Sequence, residues 1–299
     1  MVMETRRILV LLHQNDYGFG SVGYLIELLV REWEAMGFPV QVVQGVRHRA
    51  RADLVIPHVN LTVMPEEYRD FLRAYPRVIN RHVVDVSKSR FSTNLVGWDD
   101  GYTGPVIVKT ECNYGGLPEQ RLHPRARAGW WEWAGVARRL LPTPRGRDAG
   151  GIAWGSVQFL RSDDYPVFPS LREVPEEVFH NRNLVVEKFL PEVTEGDYCV
   201  RYYYFLGSAG VNLLFRSKDR VIKATADKVE EAPIPQELYE MREKLGFEYG
   251  KFDYVLRDGK VVLFDVNRTP ATAALRHWGL AEEVARRLAG GIKSQLATP

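Results

Sequence analysis

The pattern of apolar residues changes once along this chain, at Arg81, and that change limits the folds open to it. Before it, strands and helices alternate. Ile8–Leu12 is a short apolar run suited to a buried strand. Leu25, Leu28, Leu29 and Trp33 share one helical face, with Ser21 as N-cap and Gly37 as stop. Val40–Val43 and Asp53–Pro57 read as further strands, Pro65–Ala74 as a helix and Val78–Ile79 as a strand end. Such alternation predicts a parallel sheet with helices on its faces. After Arg81 the strands follow one another: Val106–Lys109, Leu184–Phe189, Tyr198–Phe205, Val211–Phe215, Phe252–Leu256 and Val261–Val266. Several are joined by turns containing Gly or Asp, which predicts antiparallel pairing. Ala281–Leu288 closes the chain as an amphipathic helix packed on the core.

Composition removes several function classes. The 299 residues leave room for about two domains, and 45% hydrophobic with 26% charged residues is ordinary globular material. Forty basic and 38 acidic side chains give a formal charge of +2, so no global field favours nucleic acid or a membrane surface. No apolar run approaches the roughly 18–20 residues that span a bilayer. The N-terminus leads into only the five apolar residues Ile8–Leu12, too few for a signal-peptide core, so a cytoplasmic location is expected. Cys112 and Cys199 alone make neither a disulfide framework nor a zinc cluster.

Gly18-Phe19-Gly20-Ser21-Val22-Gly23 matches G-x-G-x-x-G between a strand and a helix. A dinucleotide site needs those glycines in the tight turn itself, so that the pyrophosphate meets the helix N-terminus. Here His13 to Tyr17 intervene, and Val43-Gln44-Gly45 offers no acid at the end of the second strand, although Arg47 and Arg49 would suit a phosphorylated ribose. The stretch is therefore read as a flexible loop. It falls at the carboxyl end of a parallel strand, where open α/β sheets bind ligands, which makes His13, Asn15 and Asp16 substrate-contact candidates.

Three later features carry chemistry. Val106-Ile107-Val108-Lys109 ends a hydrophobic strand in a lysine, followed by Asn113-Tyr114-Gly115-Gly116. A buried lysine calls for an anion, and adjacent glycines let backbone N–H groups close on phosphate oxygens. A hairpin turn with a snorkelling lysine would look the same. Leu184-Val185-Val186-Glu187-Lys188-Phe189-Leu190-Pro191 is either a plain strand end or a hinge offering backbone groups to a base edge. Lys251–Asn267 reads as a β-hairpin in which Asp265 and Asn267 share a face. The loop decides where Asp253 goes. A two-residue Asp258-Gly259 turn pairs 257 with 260 and puts Asp253 on the other face from Asp265. A three-residue loop pairs 256 with 260 and gathers Lys251, Asp253, Asp265 and Asn267 on one side. Two carboxylates and an amide oxygen make a hard-oxygen site fit for magnesium on phosphates, so the three-residue loop is expected.

In this order, these features resemble the ATP-grasp superfamily, which includes D-alanine–D-alanine ligase and glutathione synthetase. The likeness covers about residues 82–275. It implies an α/β (α+β) fold, with nucleotide between two α+β lobes, behind a small Rossmann-like parallel domain. The boundaries expected are 1–81 for that domain, 82–190 for the first lobe with an insertion at about 121–182, and 191–299 for the C-terminal lobe with the metal site. The resemblance also implies roles. Lys88 and Lys109 match the two nucleotide-binding lysines, and Asn113, Tyr114, Gly115 and Gly116 match the loop over the phosphates. Backbone groups of Lys188 and Leu190 would read adenine, with Glu187 and Phe189 in the same hinge. Asp197 holds the place of the ribose acid and Lys223 resembles a third phosphate lysine. Lys251 stands where an arginine often lies near the transferred phosphate. Asp253, Asp265 and Asn267 would hold Mg2+ or Mn2+, with aspartate at 265 where glutamate is usual.

The implied reaction is an ATP-dependent carboxylate–amine ligation through an acylphosphate, releasing ADP and phosphate. A small-molecule kinase or a nucleotide-binding regulator on the same fold are the alternatives. Arg201, on the same strand face as Asp197, is a candidate to grip the acceptor carboxylate or the oxyanion, unless it is simply an outward arginine. Arg268, beside Asn267, is a candidate for the second substrate. The expected substrates are a small carboxylate and an amine, an amino acid or small peptide, chosen through the His13–Gly20 loop, His58 and Asn60. Between Arg121 and Arg147 stand seven arginines and one acid, Glu132, interleaved with Trp130, Trp131 and Trp133. Basic and aromatic clustering can bind nucleic acid, but a solvated helix with docked tryptophans is the preferred reading, as an added lid or homodimerisation element.

Overall fold

A computed structural model describes residues 6–16, 18–20, 23–122, 151–160, 165–222 and 226–297. The expected cap Ser21, the phosphate-lysine candidate Lys223 and the tryptophan cluster 130–133 lie outside the described residues. The chain forms two compact units, Met1–Val86 with Pro191–Pro299, and Ser87–Leu190.

The first unit begins with strand β1 (Ile8–Leu12), helix α1 (Leu25–Ala35), strands β2 (Val40–Gln44) and β3 (Leu54–His58), and helix α2 (Glu66–Arg73). The strands make a parallel sheet in the order β2-β1-β3. Five apolar residues in succession suit β1 because both of its faces are covered. Ile8, Val10 and Leu12 join one core, and Leu9 and Leu11 join Tyr68, Phe71 and Leu72 of α2 in another. Gly37, at φ 86°, ends α1 in the left-handed conformation that glycine adopts without a steric penalty.

The second unit holds α3 (Lys88–Phe91), β4 (Val106–Thr110), α4 (Leu117–Leu122), β5 (Val167–Phe168), α5 (Glu176–His180) and β6 (Leu184–Lys188). Its antiparallel sheet runs β5-β4-β6. Val106, Val108, Leu184 and Val186 bury one face against Trp154, Phe168 and Val178.

The chain then completes the first unit with β7 (Glu192–Thr194), β8 (Asp197–Leu206), β9 (Ala209–Ser217), β10 (Lys228–Glu231), α6 (Gln236–Leu245), β11 (Tyr249–Arg257), β12 (Lys260–Asn267), α7 (Ala273–His277), α8 (Ala281–Ala289) and α9 (Ile292–Ala297). The sheet order is β10-β9-β8-β11-β12, with β7 paired to β8. One face, through Tyr204, Leu206, Val211, Leu213 and Phe215, shares a single core with β1, α1 and α8. Trp33 of α1 lies fully buried there and its indole donates to the Ala289 carbonyl at 3.2 Å. On α6, Arg242 donates to the Tyr203 hydroxyl and the Gly207 carbonyl, its guanidinium 4.1 Å from the centre of the Phe205 ring.

The β8–β11 register corrects the expectation for Arg201. Tyr202 pairs with Asp253 and Tyr204 with Lys251, whereas Arg201 pairs with Tyr254. Side chains alternate along a strand, so Arg201 points to the face opposite Asp253. There it makes a two-pronged ion pair with Glu192, at 3.1 and 2.7 Å. Glu192 also accepts from the Leu256 amide at 2.8 Å, so one carboxylate fastens β7 to β8 and β11.

Two measurements test this framework. Removing one member of a buried, hydrogen-bonded pair strands the other charge, so Glu192→Ala should lower stability by about 3 kcal/mol. The apolar double replacement Glu192→Leu with Arg201→Met should recover most of that in urea denaturation. His58, at the end of β3, is fully buried with no hydrogen-bond partner on either ring nitrogen among the described residues. Burial, then the charge of Arg268, lowers its pKa from 6.5 to about 3. Between those values the unfolded chain takes up a proton that the folded chain refuses. Stability should therefore fall with pH below 6.5 by up to about 1.4 kcal/mol per unit from this group, and His58→Leu should flatten that slope.

Candidate active site

The hairpin β11–β12 resolves the question of Asp253. Arg257 pairs with Lys260, so the loop is the two-residue Asp258-Gly259 turn and not the expected three-residue loop. Both turn residues have positive φ, 52° and 77°, the hairpin conformation that an Asp-Gly pair favours. Without a further irregularity Asp253 would face Phe264. A β-bulge intervenes: Tyr254 pairs with Leu263 but Asp253 pairs with Asp265, leaving Phe264 as the extra residue. Lys251 then pairs with Asn267, and Lys251, Asp253, Asp265 and Asn267 share one face. The expected grouping is present, produced by a bulge rather than by the loop.

On that face the Lys251 ammonium lies 2.9 Å from each Asp253 carboxylate oxygen and 4.2 Å from the centre of the Tyr202 ring. Burial works against the charge of Lys251, but Asp253 together with Tyr204 and Tyr202 outweighs it, and the lysine pKa is raised. Burial, then Asp253, pushes the Tyr202 hydroxyl up to about 12. Tyr202 carried no signal in the sequence because its role depends on the β8–β11 register. Among the described residues no three His, Cys, Asp or Glu side chains cluster as a metal site, so the hairpin offers two acids and an amide.

Asn267 is followed by Arg268-Thr269-Pro270, which docks on the first β/α segment. Buried Arg268 donates to the carbonyls of Leu61 and Val83 at 2.6 and 2.7 Å, which commits it to holding backbone. The Pro270 carbonyl receives the Leu25 amide, and the Glu27 carboxylate receives the amide of Tyr24. Protein groups thus occupy the start of α1, where a pyrophosphate would have to sit. Asp197 opens β8 in an ion pair with Lys218, which holds its carboxyl below the usual range.

In the second unit Lys109 and Glu187 meet. The β4–β6 register pairs Ile107 with Glu187 and Lys109 with Val185, so the two charged residues are diagonal neighbours on one face. The Lys109 ammonium is 2.6 Å from Oε2 of Glu187, and both residues are buried. Oε1 of Glu187 is buried with no hydrogen-bond partner among the described residues. Buried Lys88 donates to the Cys112 carbonyl, which brings its ammonium to the loop that follows β4. In that loop Tyr114, Gly115 and Gly116 all have positive φ, and the Asn113 carboxamide accepts from the Tyr114 amide. A Cβ on Gly115 would collide with the Leu160 carbonyl, so this glycine has a packing reason of its own. At the hinge, the Lys188 amide donates to Asn94 and the Phe189 amide to Pro105, both at 2.8 Å. No described helix is long and apolar enough to cross a membrane.

No protein-family model matches the chain, and no curated protein does. Solved structures do. One is a RiPP-associated ATP-grasp ligase from Chryseobacterium gregarium in complex with ADP and a leader and core peptide, with a TM-score of 0.52 at 10% identity over 99% of this chain and 98% of that one. Another is the ATP-grasp ligase PsnB complexed with a minimal precursor, with a TM-score of 0.50 at 14% identity over 98% and 99%. Likeness at such identities speaks for architecture, and with the sheets and hairpin described above it shows that this chain has the ATP-grasp fold.

Proposed function

We propose that this protein is an ATP-dependent carboxylate–amine ligase working through an acylphosphate. The observation that carries the reading is the β12 bulge, which gathers Lys251, Asp253, Asp265 and Asn267 on one face. A binder of bare nucleotide has no need of two acids and an amide oxygen so placed. Their oxygens are the hard donors that magnesium or manganese prefers, and the ammonium of Lys251, 2.9 Å from each oxygen of Asp253, supports a reading in which this face meets positive charge. Asp253, Asp265 and Asn267 would hold that metal, which when bound neutralises charge on the nucleotide phosphates.

The remaining residues divide the substrate among them. The hinge amides of Lys188 and Phe189 already donate within the protein, so the base edge falls to the Lys188 carbonyl and the Leu190 amide. Oε1 of Glu187 suits an N–H donor such as the exocyclic amine of adenine, because a buried carboxylate oxygen without a donor is costly. Lys88 and Lys109 take phosphate oxygens beneath the loop Asn113–Gly116; Asp197, on the Arg201 face of β8 and paired with Lys218, keeps the ribose role through the resemblance alone. Lys223 joins them through the resemblance alone. Arg201 and Arg268 are left out of the reacting set because both guanidiniums are committed to structural partners.

A substrate carboxylate oxygen attacks the γ-phosphorus as its bond to the β–γ bridging oxygen breaks, which releases ADP. An amine nitrogen then attacks the acyl carbon and loses a proton, and phosphate leaves with the acyl oxygen. Lys251 supplies positive charge to the transferring phosphoryl group, electrostatics that can account for several kcal/mol of barrier.

Phosphorus NMR of ATP with magnesium and pooled carboxylates and amines follows the fate of each phosphate. Peptides belong in the pool, because one of the similar structures named above holds a leader and core peptide and the other a minimal precursor. Substrate-dependent ADP and free phosphate, abolished by Asp265→Ala, is the expected outcome. ADP with a stable phosphorylated product would make the protein a kinase, and AMP with pyrophosphate would rule out the acylphosphate. Glu187→Gln removes the charge that fixes Lys109. A charge-assisted hydrogen bond contributes about 1.5–3 kcal/mol, so the KM for ATP should rise roughly tenfold or more while kcat changes less.

A further inference from the structure

One chain of hydrogen bonds runs through the first unit from the loop after β1 to Asn267. The Tyr24 hydroxyl lies 3.3 and 3.2 Å from the two oxygens of buried Asp16. The Asn60 amide nitrogen donates to the Tyr24 hydroxyl at 3.1 Å. The Thr269 hydroxyl lies 3.0 Å from Oδ1 of Asn60 and 3.2 Å from Oδ1 of Asn267, and the Thr269 amide donates to Oδ1 of Asn267 at 2.8 Å.

Donor polarity along this chain is determined by its end. An ionised carboxylate only accepts, so Asp16 takes the single hydroxyl proton of Tyr24. Tyr24 must then accept from Asn60, which turns the Asn60 amide nitrogen toward Tyr24 and its carbonyl oxygen toward Thr269. The Thr269 hydroxyl has one proton, and the shorter contact directs it to Asn60. At Asn267 the backbone amide of Thr269 can only donate, so the atom facing it is the side-chain oxygen. That oxygen receives one N–H bond and keeps a lone pair.

Resting on the reading of Asn267 as a metal ligand, we propose that Thr269 and Asn60 are positioning residues that orient the Asn267 oxygen for the cation, with Tyr24 and Asp16 setting their polarity. With its hydroxyl anchored on Asn60, Thr269 holds its backbone N–H on the Asn267 oxygen, and that oxygen keeps a lone pair to face a positive charge. Partners of metal ligands commonly matter by about 10–100-fold in affinity.

Manganese titration in the presence of ADP, followed by electron paramagnetic resonance, reads cation affinity without turnover. Asn267→Ala tests the underlying reading: manganese binding equal to the parent protein's would remove Asn267 from the metal site. With that loss established, Thr269→Val and Tyr24→Phe should each weaken manganese by about tenfold, and Thr269→Ser, which keeps the hydroxyl, should restore it. Tyr24→Phe keeps the ring against His58, 4.6 Å between centroids, and removes only the polar link. Thermal melts separate folding from binding. Parent-like affinity in both Thr269→Val and Tyr24→Phe, alongside a defective Asn267→Ala, would overturn the positioning role and leave the metal reading intact.

Discussion

Phe264 is one residue more than β12 needs to pair with β11, and the candidate site depends on that excess. Strand side chains alternate, so a hairpin closed by Asp258-Gly259 and paired without interruption would put Asp265 and Asp253 on opposite faces. The bulge resets the register by one after Leu263. Nearer the turn Tyr254 pairs with Leu263 and Val255 with Val262, and just beyond the bulge Asp253 is turned toward Asp265. Two like charges placed opposite each other are unfavourable in the protein alone. Lys251 offsets part of that repulsion, and a divalent cation would offset far more.

Three cation–carboxylate pairs in this protein differ in what surrounds them. Arg201–Glu192 is paired in two prongs, and both Glu192 oxygens accept, one from the guanidinium and the other from the guanidinium and the Leu256 amide. Such a pair fastens strands. Lys109–Glu187 is buried with one carboxylate oxygen without a hydrogen-bond partner among the described residues. Lys251–Asp253 sits beside a second acid on the same face. Unsatisfied capacity in a buried ionic group is the physical sign of a ligand to come, and the second pair carries it at Oε1 of Glu187.

Much of this was legible from residue order. Uninterrupted apolar runs marked β1 and β3 because a parallel strand buried on both faces leaves no polar alternation. Gly37 marked the end of α1, and the lysine ending β4 marked a buried charge. Short strands escaped notice: β5, β7 and β10 have two to four residues each and exist through pairing with β4, β8 and β9. Arg201 misled for the same reason. Its parity with Asp197 is plain in the sequence, but only the register against β11 shows that this is the wrong face for Asp253. The hairpin loop failed in an instructive way. Chemistry demanded one face for the four residues, turn preference demanded Asp-Gly, and a bulge that no local sequence rule announces satisfied both.

Asn60 and Thr269 lie 209 positions apart, and their contact ties the N-terminal segment to the end of the hairpin within one unit. The apolar core joining β1, α1, β8, β9 and α8 supplies rigidity, since Trp33 and its neighbours leave little room to shift. Hydrophobic burial has no direction, however, and cannot orient an amide. Orientation comes from polar groups that can act in only one sense: a carboxylate that only accepts at Asp16 and a backbone N–H that only donates at Thr269. Between these ends Tyr24 and Asn60 are free to take either sense, and the ends choose for them. Arg268 holds the connecting turn to Leu61 and Val83 while this choice is made. A core that fixes position and a polar chain that fixes sense are separate requirements, and Asn267 lies where this unit meets both.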